Sequence, residues 1–138
     1  MSIYLGTQGW SYKDWVGSFY PPGTKTADYL PYYAHVFDAV ELDTTFYGTP
    51  TLDRVKGWSG ATPTGFQFTA KTPRSITHDR RLVGAEGEFE EFVDVIAGLG
   101  EKLGAILIQL PPDFTVRERP QEEIEVLEQF RVVLVDHD

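Results

Sequence analysis

The feature that most constrains this chain is an alternation of two hydrophobic periods, short apolar runs answered by longer amphipathic ones. Five runs read as strands, over residues 3–6, 39–43, 66–71, 105–110 and 132–135. Each is short, rich in β-branched or aromatic side chains, and bounded by turn formers. The stretches between them carry apolar residues at helical spacing. Thr26 or Asp28 can cap a helix running to Phe37, with Leu30, Tyr33, Ala34 and Phe37 on one face, and Pro31 either starts that helix or bends it. Residues 52–59 suit a short helix. Residues 88–99 suit a longer one with Phe89, Phe92, Val93 and Ile96 on one stripe, ended by Gly98 or Gly100. A fourth is expected over 121–130, turning Ile124, Leu127 and Phe130 inward. Strands separated by helices run parallel through right-handed crossovers, which predicts an α/β domain of parallel βα repeats. At 138 residues the chain has the length of one domain, expected to span 1–138.

Alternation within the strands sharpens the expectation. Val40 and Leu42 share one face, Glu41 and Asp43 the other. Phe66, Phe68 and Ala70 oppose Gln67, Thr69 and Lys71, while Ile106, Ile108 and Leu110 oppose Leu107 and Gln109. In the first strand Ile3 and Leu5 oppose Tyr4 and Gly6. Each strand therefore offers the helices an apolar face and has a second face that turns polar toward its carboxyl end. A doubly wound sheet buries both faces and reads as near-continuous apolar runs. A barrel points one face at its own axis, where polar groups gather at the carboxyl ends of the strands. The pattern favours a barrel, with an open sheet thinly covered on one face as the alternative.

Charge and composition narrow the chemistry. Twenty-one acidic residues against twelve basic ones give a net charge of −9, which opposes a partner bound mainly through phosphates and ranks nucleic acid last among ligands. There is no cysteine, so disulfides, thiolate metal sites and cysteine nucleophiles are excluded. The first residues lack a basic start and apolar stretch, and no apolar run approaches the roughly 20 residues that span a bilayer, so a cytoplasmic protein without membrane contact is expected. Aromatic residues make up 14% of the chain, and many fall in segments that read as loops, among them Trp10, Tyr12, Trp15, Phe19, Tyr20, Phe46 and Tyr47. They either face a ligand or staple loops to the core.

The polar strand ends supply the candidate catalytic residues. Glu41, Asp43 and Lys71 lie on the inward face of adjacent strands, where an ion must be paired because desolvation costs several kcal/mol. Lys71 is either a general acid/base or anion anchor partnered by Glu41 or Asp43, or one half of a structural ion pair. His78 follows the third strand in a locally basic loop with Arg74, Arg80 and Arg81, suited to gripping a phosphate or carboxylate while His78 shuttles a proton. The plainer reading has these arginines paired with Glu86, Glu88 and Glu90. Glu41, Asp43 and His78 together could ligate a metal, but no regular ligand spacing supports that, and the cofactor is left unassigned. Gly6-Thr7-Gln8-Gly9-Trp10 matches neither glycine-rich nucleotide motif; it reads as a tight turn presenting Trp10, Tyr12 and Trp15, with Asp43, Tyr47, Arg74 and Gln109 completing a ligand wall.

Several ordered motifs carry a resemblance. Gly6 to Trp15 followed by Phe19-Tyr20-Pro21 is similar to the opening signature of the YecE-like family, called domain of unknown function 72. Val40 to Tyr47, Trp58 with Pro63 and Gly65 to Phe68, Lys71 with Ile76-Thr77-His78, and Gln109 to Pro112 follow in the family's order. The resemblance covers residues 3–114 and implies a TIM-barrel-like fold without implying a reaction. A full barrel of this kind typically takes about 250 residues. The chain is thus expected to be the amino-terminal portion, four βα units and a fifth strand. The family's Glu-Phe-Arg-His stretch has no counterpart in Arg131 to Asp138. A natural half-barrel, a truncated product and a deliberately shortened piece all fit that pattern. Four or five strands cannot close, so self-association through exposed sheet edges, or aggregation, is expected. The functional expectation is an enzyme-like pocket for a small polar or anionic ligand, a sugar or phosphorylated compound. The alternative is a non-catalytic binding or assembly module, or an inactive remnant.

Overall fold

The computed structural model describes residues 2–114. The expected helix over 121–130, the strand over 132–135 and His137 lie outside those residues. Four strands form one parallel sheet in the order β1-β2-β3-β4, with β1 at Gly6–Gln8, β2 at Ala39–Leu42, β3 at Gln67–Lys71 and β4 at Leu103–Leu107. Helices α1 (Thr26–Val36), α2 (Leu52–Gly60) and α3 (Glu86–Ile96) fill the three crossovers. Sequential neighbours with no reversal of order are the arrangement of successive barrel units, and a doubly wound sheet would break that order at its switch point.

The registers show which residues share a face. Gln8 pairs with Glu41, Glu41 with Thr69, and Thr69 with Ala105, while Lys71 pairs with Leu107. All are half-buried or exposed. The other face, with Val40, Leu42, Phe68 and Ala70, is buried beneath the helices against Tyr33, Val55, Phe92 and Ile96. Burying a side chain the size of Phe68 or Phe92 is worth roughly 1.5–3 kcal/mol, so this one-sided core fixes the pleat and forces Glu41 and Lys71 to the open side.

Element boundaries moved where packing overrode local pattern. The first strand was expected at 3–6, yet pairing falls on Gly6–Gln8, and Ile3, Tyr4 and Leu5 stay exposed. Gly6 explains the placement: a Cβ there would lie 1.9 Å from the Ala39 carbonyl oxygen, so only glycine lets β1 meet β2 at this point. The fourth strand begins at Leu103 rather than at residue 105, because a bulge opposite Phe68 and Thr69 absorbs one residue and seats Leu103 in the core. Helix α1 passes through Pro31 and starts after an extended Lys25, so Thr26 is its first helical residue and not its cap. Helix α3 starts at Glu86 and gives way after Ile96 to a 3-10 segment, Ala97–Lys102, broken where Gly100 takes φ +61°.

Candidate functional site

The carboxyl ends of β1, β2 and β3 carry the candidate site. Lys71 Nζ lies 3.5 Å from Glu41 Oε1, with only 13% and 29% of the two side chains exposed. At that distance the attraction is about 5 kcal/mol for an effective dielectric constant near 20, which the desolvation of two ions largely cancels. The pair therefore adds little to stability, and its placement at the strand ends needs another reason.

Phe46 is the hub around which the bases gather. It sits in a 3-10 turn, Thr44–Tyr47, directly after β2. Lys71 Nζ is 5.7 Å and the Arg74 guanidinium 5.9 Å from its ring centroid, and the His78 ring meets it edge-on at 5.1 Å. The buried Thr45 hydroxyl is within donating distance of the Leu42 carbonyl oxygen (3.0 Å) and the Lys71 carbonyl oxygen (2.5 Å), which ties this turn to the ends of both strands. His78 rides on a single π-turn, Ser75–Asp79, a widened form common at functional sites, with Nδ1 2.8 Å from the Thr77 hydroxyl.

That loop is over-determined. Arg81 and Leu82 both take left-handed backbone angles, φ +50° and +68°, at a cost on the order of 1–3 kcal/mol each. Leu82 offsets this by full burial against Ile76 and Ala85, and Arg81 Nη1 reaches both Asp113 carboxylate oxygens at 3.1 and 3.2 Å. Arg80 pairs with Glu88 at 3.8 Å, whose other oxygen accepts from the Ser75 hydroxyl. The plainer expectation for the loop thus holds for Arg80 alone, and Glu88 is its partner. Arg74 meets Asp79 at 3.5 Å with both side chains more than half exposed, a pair worth about 0–1 kcal/mol that a ligand could displace.

On the β1 side, Gly9 takes φ +72°, and its amide donates to the Glu41 carbonyl. A Cβ there would lie 2.8 Å from the Tyr12 hydroxyl and 3.2 Å from Asp43 Oδ1. The Tyr12 hydroxyl donates to the Gln8 carbonyl, and burial, followed by the Asp43 and Glu41 carboxylates, pushes its pKa up. Gly9, Trp10, Ser11, Tyr12, Asp43, Thr44 and Arg54 line a cleft of about 220 Å³. Two larger hollows, about 480 and 530 Å³, open at the other end of the sheet. The one lysine lining them, Lys102, is spent on the Ser59 and Thr62 carbonyls.

The fold thus brings Glu41, Lys71, Arg74 and His78 around Phe46, with Tyr47 stacked edge-on to that ring and 79% exposed. Asp43, Tyr12 and Trp10 share the adjoining cleft. Trp15 does not line the cleft but packs behind it, on the Tyr12 ring at 4.6 Å and on Phe19 and Tyr20, stapling the β1–α1 loop. Gln109 lies past the end of β4 and is exposed. Phe46 is one of the loop aromatics expected to face a ligand or staple a loop, though not as the centre of the basic cluster; Arg54 is not expected at a site at all, because a cation on a helix surface is ordinary. Among the described residues no cluster of three or more His, Asp or Glu is arranged to hold a metal, and no helix is long and apolar enough to cross a membrane.

Comparison with known proteins agrees with this architecture. The family described as "Protein of unknown function DUF72" matches residues 4–137. The chain is 33% identical over 118 residues to the UPF0759 protein YecE of Escherichia coli K12, covering 86% of this chain and 41% of YecE. It is 33% identical over 122 residues to the UPF0759 protein YunF of Bacillus subtilis, covering 84% of this chain and 42% of YunF. It therefore spans about two fifths of the length of these relatives. Among crystal structures, a DUF72 family protein of Thermotoga maritima superposes with a TM-score of 0.74 at 36% identity, over 91% of this chain and half of that one. One from Enterococcus faecalis gives 0.72 at 28% identity, over 93% and 46%. With a family match across nearly its whole length and the parallel βα order to go with it, the chain belongs to the DUF72 family.

Proposed function

We propose that this is a cytoplasmic protein that binds a small anionic organic ligand at the carboxyl ends of β2 and β3 and acts on it there by proton transfer. One observation carries the reading: in a chain of net charge −9, Lys71, Arg74 and His78 converge on the Phe46 ring. An anion seated there gains two permanent cations, and the weak Arg74–Asp79 contact gives way to it at little cost. Glu41, already beside Lys71, orients the ammonium, and with His78 it supplies the groups that can take or return a proton.

The test is calorimetric titration of the chain with inorganic phosphate. Binding is expected, and Lys71→Gln, which keeps the stem and removes the charge, is expected to weaken it at least about tenfold, the worth of one charge-assisted hydrogen bond. Unchanged affinity in the variant, or no heat with the parent, would overturn the anion site and leave a non-catalytic assembly module as the better account.

A further inference from the structure

The cleft beside the basic corner has a chemistry of its own. Asp43 and Arg54 both line it, yet neither takes part in any of the ion pairs among the described residues. A carboxylate and a guanidinium that share a cleft without meeting leave one set of acceptors and one set of donors open. A sugar hydroxyl both donates and accepts, so a pair of vicinal hydroxyls satisfies the two at once. Trp10, packed edge-on against Trp58 at 5.9 Å, supplies the aromatic wall on which ring C–H groups rest, and Arg54 is held 5.3 Å over the Trp58 ring. The volume, about 220 Å³, is below the roughly 300–1,000 Å³ of pockets for drug-sized ligands and suits a single small ring. Gly9 keeps it open, since any side chain at that position would project toward Tyr12 and Asp43.

Charge sets the orientation. Asp43 and Glu41 repel an anion from the cleft, while Lys71, at the end of the neighbouring strand β3, and Arg74 just after it attract the anion. We infer that this cleft is the ring-binding half of the site and that the ligand is a monosaccharide phosphate, its hydroxyls on Asp43 and Arg54 and its phosphate toward Lys71 and Arg74. The inference rests on the anion site proposed above.

Calorimetric titration of the chain with glucose 6-phosphate, inorganic phosphate and glucose separates the two. Glucose 6-phosphate is expected to bind at least about tenfold more tightly than phosphate. Asp43→Asn and Arg54→Gln, which preserve shape, are each expected to bring the ratio of glucose 6-phosphate to phosphate affinity down toward one. Equal affinity for phosphate and its sugar ester, or variants that weaken both alike, would overturn the ring subsite and leave the anion site standing. Binding of neither phosphate compound would overturn both. Glucose binding as tightly as its phosphate would keep the cleft and overturn the anion site.

Discussion

Thr45 touches nothing at the open face of the site, yet Phe46 depends on it. Its buried hydroxyl has one proton to give, within reach of the Lys71 carbonyl at 2.5 Å and the Leu42 carbonyl at 3.0 Å, and a valine there removes that donor. Thr45→Val, close in shape, is expected to cost about 1–3 kcal/mol in urea denaturation and to weaken phosphate binding although no charge is lost. An unchanged affinity would show that the Phe46 turn is placed by other contacts. Tyr20 carries a different kind of prediction. Burial, reinforced by the neighbouring Tyr33 and Tyr29 phenols, raises its pKa above the ordinary 10.0, and its hydroxyl donates to the Trp10 carbonyl at 2.5 Å. The fold thus favours the neutral phenol. Below the unfolded value both states are protonated and this contribution is fully present; above it the unfolded chain ionises first, and the contribution is lost as pH climbs toward the folded value. Urea midpoints are expected to fall above about pH 10, and Tyr20→Phe is expected to flatten that limb while costing about 1 kcal/mol at neutral pH. Residues such as Glu41 and Lys71 were legible in the sequence because strict alternation assigns them a face. Arg54 and Thr45 were not, since their partners come from other segments and no local period marks them.

At the scale of elements, the helix-to-strand joints are held by single polar contacts. Lys102 Nζ donates to the Ser59 carbonyl at 2.6 Å and the Thr62 carbonyl at 2.7 Å, so the ammonium closes the carboxyl end of α2 just before the chain enters β4. Lys102→Met keeps the apolar stem and abandons both acceptors. The expected loss is about 1.5–3 kcal/mol, read from the urea midpoint, with the affinity for phosphate at the far end of the sheet unchanged. A loss of affinity as large as that of Lys71→Gln would mean that the two ends of the sheet are coupled. The order of elements could be read from the alternation of hydrophobic periods, because burying one face of each strand and one stripe of each helix leaves few other solutions. The boundaries could not. Gly6 places β1 through a backbone approach of 1.9 Å to a hypothetical Cβ, and a bulge opposite Phe68 and Thr69 places β4. The π-turn at Ser75–Asp79 is bought with left-handed angles at Arg81 and Leu82, which no propensity favours.

At the scale of the molecule, one face of the sheet is covered and the other carries the polar row Gln8, Glu41 and Thr69. Among the described residues, β1 and β4 each pair on one side only. Apolar side chains flank both edges: Ile3, Tyr4 and Leu5 ahead of β1 are 84%, 52% and 67% exposed, and Leu107 at the end of β4 is 42% exposed. Unpaired strand edges bordered by apolar groups favour association with another chain, whereas lysines on an edge suppress it. Two copies brought together with β4 of each beside β1 of the other would keep their described strands parallel and bring those eight into one ring, the number at which side chains just fill the interior. The chain alone is therefore expected to show a weight-average mass in sedimentation equilibrium that rises with concentration beyond that of one copy. Ile3→Lys and Leu107→Lys, placed at opposite edges, should each lower that rise if the edges meet. A constant single-copy mass at all concentrations rules edge pairing out, and a rise indifferent to both substitutions points to contact through the open polar face instead.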